Sequence, residues 1–162
     1  LLLFAASIDA KPINSLEGCA YTTFLSPTAS YAQTFKPTFS VLRKVRFALF
    51  EGYEPYGDVT FRVILKDQSG TTVAASADGV LTGSTGHDDA ASGDTVTFIF
   101  AGGVRVTPGQ SYILELERIS DGPDAWGCTS FNAYADGTLL YNGAPNLDWD
   151  FDFAASGSGR PR

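Results

Sequence analysis

The sequence contains no methionine, one histidine (His87), two cysteines (Cys19 and Cys128) and few charges. Each shortage excludes something. Two cysteines and one histidine do not make a zinc site. His87 sits in Gly86-His87-Asp88-Asp89, a small polar stretch suited to solvent, so a Ser-His-Asp triad would lack a buried, oriented base. There is no Gly-x-Ser-x-Gly. No apolar stretch approaches the roughly 18 residues of a membrane helix, so a membrane-spanning helix is not expected. The net charge is −7 and no basic run offsets it. Lys44 and Arg46 fall within a strand pattern and are not expected to form a patch, which argues against nucleic acid. Charged residues make up 18% of the chain. About 25% is usual for an intracellular domain.

What is present points to strands. Phe (12) and Tyr (7) are plentiful, while Gly (17) and Pro (8) punctuate the chain. A length of 162 residues suits one domain with a core of its own. Apolar side chains recur with a period of two. Val59, Phe61, Val63 and Leu65 form one row. Val41, Val45, Phe47 and Leu49 form a second, opposite Lys44 and Arg46. Val96, Phe98 and Phe100 form a third, and Tyr112, Leu114 and Leu116 a fourth. Trp149, Phe151 and Phe153 form a fifth, opposite Asp148, Asp150 and Asp152. One-sided rows of this kind suit sheets with one dry face.

Turn signals separate the rows. They are Asp67-Gln68-Ser69-Gly70, Thr107-Pro108-Gly109-Gln110 (a type II pattern), Asp136-Gly137 and Asn142-Gly143. No segment shows a helical period of useful length. The expected fold is all-β, an antiparallel two-sheet β-sandwich, jelly-roll-like, over residues 14–155. Residues 76–94 read as a long exposed loop, and residues 156–162 as a flexible tail.

Residues 1–13 admit two readings. Leu1-Leu2-Leu3-Phe4 followed by Ala5-Ala6-Ser7-Ile8-Asp9-Ala10 resembles the end of a signal peptide, with cleavage after Ala10. Without an initiator methionine, the chain reads as a processed product or a fragment. The same residues could instead form an apolar arm, led by Leu1, Leu2, Leu3, Phe4 and Ile8, that completes a neighbour's sheet. Either way the expected location is extracellular or at the cell surface. In that setting Cys19 and Cys128 are expected to form a disulfide.

The order of these pieces carries a resemblance. The pieces are Gln33-Thr34-Phe35-Lys36-Pro37, Gly57-Asp58-Val59-Thr60, Thr97-Phe98-Ile99-Phe100 and the hairpin from Val106 to Leu116. Trp126-Gly127, Tyr134-Ala135-Asp136-Gly137 and Leu147-Asp148-Trp149-Asp150-Phe151 follow. Over residues 31–153 this order resembles bacterial exported β-sandwich proteins of the PEP-CTERM type. The sequence departs from that group before Tyr31 and carries no sorting helix after Phe153. The resemblance implies fold and export. It assigns no catalytic residue.

Three kinds of site remain to be weighed. Loop aromatics could stack on sugar rings. Tyr53, Tyr56, Trp126 and Tyr134 are the candidates, with Glu51, Glu54 and Asn132 as polar neighbours. The bland alternative is that these rings cap the sandwich ends. Calcium is the one cofactor considered, at Asp148 and Asp150 or at Asp88 and Asp89. Same-face strand residues lie about 6.6–6.8 Å apart, too far for one ion to be shared easily, so a solvated outer face is the simpler expectation for the Asp148-Asp150-Asp152 row. Finally, eighteen carboxylates could in principle furnish a glycosidase pair, though nothing in the sequence places an acid in an apolar cleft. The leading expectation is a non-enzymatic extracellular module for surface structure, adhesion or self-assembly, including a filament built by strand addition. A carbohydrate-binding module comes second and a glycoside-active enzyme third. The expected partners are copies of itself or an extracellular polysaccharide.

Overall fold

The computed structural model describes residues 12–14, 16, 19–51, 57–82 and 94–159. Fourteen strands are present among them, and every pairing is antiparallel.

The first sheet holds β1 (Ile13–Asn14), β2 (Tyr21–Phe24), β4 (Val41–Glu51), β8 (Asp94–Arg105), β10 (Ala125–Phe131), β13 (Trp149–Phe151) and β14 (Phe153–Ser158). The second holds β3 (Tyr31–Phe35), β5 (Val59–Asp67), β6 (Thr72–Ala75), β7 (Gly79–Leu81), β9 (Tyr112–Arg118), β11 (Leu139–Tyr141) and β12 (Ala144–Asn146). The chain crosses repeatedly from one sheet to the other, as in a jelly roll. The protein is therefore an antiparallel two-sheet β-sandwich, jelly-roll-like.

The inner faces meet in one core. Phe35, Phe39, Phe47, Phe61, Phe98, Phe151 and Phe153 are its largest fully buried side chains. Phe47 stands at its centre, with the rings of Phe151, Phe153 and Phe98 at 5.5, 6.1 and 6.2 Å. Edge-on and offset ring pairs of this kind add to the burial itself.

The expected rows on β5, β8 and β9 all face this core. The row on β4 needs one correction. Leu42 is fully buried and Val41 only partly so, because the pairing with both neighbours shifts between Leu42 and Lys44. Arg43 is the extra residue against β14, whereas against β8 it faces the longer stretch 100–103. Past it, Val45, Phe47 and Leu49 point inward as expected.

The turns follow their residue types. Gly109 takes φ +78 and Gln110 N donates to Thr107 O at 3.1 Å. Asn142 (φ 49) and Gly143 (φ 77) join β11 to β12 in the I′ hairpin geometry. The expected loop over 76–94 contains β7, which pairs with β5 and buries Leu81. The expected tail is a strand as far as Ser158. Gly157 is required there, because a Cβ would collide with Val41 O and the Phe39 ring. At the other end, Ile13 pairs with Ala155 and is buried, so it belongs to the sandwich and not to an arm.

Cys19 and Cys128 form a disulfide that ties the segment leading into edge strand β2 to β10. The expected arm residues Leu1, Leu2, Leu3, Phe4 and Ile8 lie outside the described residues, as does His87.

Candidate functional site

The acidic row departs most from expectation. Trp149, Phe151 and Phe153 do not alternate against a wet face, because the chain changes partner at Asp152. Its amide donates to Cys128 O at 2.9 Å, and its carbonyl accepts from Ala48 N at 3.0 Å. Upstream of it β13 pairs with β10, and downstream β14 pairs with β4. Asp150 and Asp152 are 1% and 0% exposed, so this is not a solvated face.

Asp150 is held by two donors. Its Oδ1 accepts from Gln33 Nε2 at 2.8 Å and its Oδ2 from the Tyr134 amide at 2.9 Å. Gln33 Oε1 in turn accepts from the Phe151 amide at 2.8 Å. A buried carboxylate so bonded is a clamp between the sheets, since Gln33 belongs to β3 and Asp150 to β13. Its oxygens are committed, which argues against a calcium ligand. Among the described residues no group of three or more His, Cys, Asp or Glu side chains could hold a metal ion. Asp88 and Asp89 lie outside the described residues.

The aromatic candidates separate. Tyr53, Tyr56 and Glu54 lie outside the described residues. Tyr134 is a structural ring. Its face meets the edge of Phe153 at 5.3 Å, its hydroxyl donates to Lys36 O at 3.2 Å, and it accepts from Lys36 N at 3.1 Å. Burial raises its phenol above the ordinary value, the Lys36 backbone bond opposes this, and the charges of Asp136 and Asp150 add to the rise. Glu51 is buried, with Oε1 accepting from Gly57 N at 3.2 Å.

Trp126 does take part in a surface array. It lies directly across from Phe24 of β2 and Phe50 of β4, at ring distances of 5.3 and 6.4 Å. Its indole N–H is buried with no hydrogen-bond partner among the described residues. This ladder occupies the outer face of the first sheet, opposite the face on which Gly127 meets the core ring of Phe151.

A second set of rings gathers where β10 pairs with β13. Trp149 meets Tyr21 edge-on at 4.6 Å and Phe131 at 5.9 Å. Phe131 is 65% exposed and Tyr21 59%. The six rings therefore lie on two faces of the first sheet: Tyr21, Trp149 and Phe131 share the core-facing side of Gly127 and Thr129, where Trp149 packs against the core, while Phe24, Phe50 and Trp126 face outward. Sequence reading found only Trp126 among them as a binding candidate. Tyr21, Phe24 and Phe131 carried no signal, because an isolated ring in a strand usually reads as core.

The expectation for Lys44 and Arg46 also changes. The bulge turns Arg43 to the same outer face, where its Nε bonds Ser158 Oγ at 3.2 Å. Arg105 arrives there from β8, opposite Val41. Four cations therefore gather where none was expected to. Arg105 lies about sixty positions from the others, and a bulge is not visible in residue types.

No protein-family model and no curated protein matches the chain. Among solved structures, the chain is similar to the carbohydrate-binding module CBM36 in complex with calcium and xylotriose. The identity is 16% and the TM-score 0.34, covering 81% of this chain and 98% of that one.

Proposed function

We propose that this chain is an exported, non-catalytic polysaccharide-binding module that works through the ring-bearing surface of its first sheet. The observation that carries the reading is the outer-face ladder of Phe24, Trp126 and Phe50 on three adjacent strands, with the Phe24 ring 36% exposed. Aromatic faces laid out on rigid strands suit flat, stackable ligands, and exposed apolar patches mark interaction sites. The Cys19–Cys128 bridge supports export, since such bonds persist in oxidising compartments.

Trp126 stands in the middle of the ladder, so intrinsic fluorescence reports on it. Titration with soluble polysaccharides, alongside affinity electrophoresis, tests the reading. Phe24→Ala and Phe50→Ala are expected to weaken retention about five- to tenfold each while the protein stays folded. Unchanged retention in both variants would refute it.

A second reading rests on a different observation. Among the described residues, β1 pairs with Ala154 and Ala155 alone of the six residues of β14. That part-open edge suits strand addition by another copy, and hence surface structure, adhesion or a filament. Sizing of the native protein separates the two. A ladder of oligomers supports assembly, and a monomer retained on glycan supports binding.

A further inference from the structure

The described cations of this acidic chain are sorted by face. On or beside the second sheet, Lys66 bonds Glu115 at 2.7 Å, Arg62 bonds Asp78 at 2.8 Å and Lys36 stands 3.8 Å from Asp136. Arg118 commits its guanidinium to the carbonyls of Leu25, Ser120, Gly122 and Pro123. The four remaining described cations, Arg43, Lys44, Arg46 and Arg105, form no ion pair among the described residues, and all four lie on the outer face of the first sheet. Their cross-strand neighbours are neutral. Lys44 lies between Ile99 and Ser156, Arg46 between Thr97 and Ala154, and Arg105 opposite Val41.

Unpaired like charges side by side on a sheet repel one another. Retaining four of them together, while cations elsewhere are neutralised, calls for an external anion. The local shape fits. Small-ligand sites commonly measure roughly 300–1,000 Å³, and the groove between Arg43 and Arg105 measures about 670 Å³. It passes over Gly102 and Gly103, whose φ values of +73 and +77 leave bare backbone in the left-handed region. The outer positions of β4 then run Lys44, Arg46, Ala48, Phe50, a path of about 20 Å from the cationic end to the ring ladder.

We infer that this face takes an acidic polysaccharide, a polymer of sugar rings bearing carboxylate or sulfate. The inference rests on the polysaccharide reading and deepens it. Rings stack on Phe50, Trp126 and Phe24, while anionic substituents reach Arg46, Lys44, Arg43 and Arg105. Charge complementarity selects the occupant. The −7 body repels any polyanion, and more strongly a nucleic acid, with one phosphate per roughly 1.7 Å of duplex, than a glycan carrying one charge per sugar ring.

The test compares the full chain on polygalacturonate with its carboxyl-reduced neutral form, and on dextran sulfate with dextran. Lys44→Gln combined with Arg105→Gln removes charge at exposed positions. A preference for one charged polymer over its neutral partner identifies the substituent. That preference is expected to shrink about tenfold in the double variant, the scale of one charge-assisted hydrogen bond, and to weaken with added salt. Equal binding to charged and neutral partners overturns the charge inference and leaves the polysaccharide reading standing. Binding to no glycan overturns both. Oligomers that dissociate in the double variant would place a second copy of the chain on this face and overturn the inference. Tighter binding to single-stranded DNA than to any glycan would do the same.

Discussion

Asp150 shows how one buried residue can stand for a whole junction. It satisfies Gln33 Nε2 and the Tyr134 amide at once, while Gln33 satisfies the Phe151 amide. Removing the carboxylate orphans two donors in a dry site, each costing about 1–3 kcal/mol. Asp150→Ala is therefore expected to lower the unfolding free energy by about 2–4 kcal/mol, read by urea denaturation at neutral pH. A loss under 1 kcal/mol would mean that the clamp is not closed in solution. Burial also raises the phenols of Tyr134 and Tyr31 above the ordinary tyrosine value. The folded state thus holds these protons more tightly than the unfolded one. Their contribution is complete below the unfolded value and is lost as pH rises through the higher folded values. Stability is expected to fall on the alkaline side of pH 10, with two tyrosines ionising late in an ultraviolet titration. Tyr134→Phe should remove one of them.

At the scale of elements, the regular strands could be read from residue types and the irregular ones could not. Val59 to Leu65 alternates in burial, and β5 pairs without a break with β9 from Phe61 to Asp67. β4 looks equally regular, yet the bulge at Arg43 exchanges Val41 for Leu42 as the buried residue and brings a third cation outward. Alternation cannot register an extra residue, because a bulge is specified by partner strands far away in sequence. Asp148 to Phe153 failed for a related reason. Its pattern implied one strand, but the chain passes from β10 to β4 at Asp152, and Gln33, well over a hundred residues away, supplies what makes a buried Asp150 tolerable. The site was legible to a similar degree. Trp126 was found, Tyr134 proved to be a brace, and Phe24 and Arg105 acquire meaning only from the strands beside them.

Across the whole molecule, the fold class and the Cys19–Cys128 bridge follow from composition, turn residues and cysteine count. The bridge spans a sequence separation of 109. In the chain-entropy account, closing a loop of that length in the unfolded state is worth about 4–5 kcal/mol. Replacing both cysteines by alanine is expected to lower the stability of the non-reduced protein by that order, and adding reductant should then have no further effect. A pair of variants as stable as the parent would assign the stability to the phenylalanine core alone.

The pairing of Ile13 with Ala155 places the incoming and outgoing chain side by side at one margin of the first sheet. If this module is tethered from both flanks, tension peels β1 from β14 like a zip, one bond at a time, a weak mode of resistance. A few residues further in, the peeling front reaches Cys19, and the covalent bond to Cys128 removes residues 19–128 from the load path. A stretched module of this kind would yield early at its margins, while strands β2 and β10 stayed locked together.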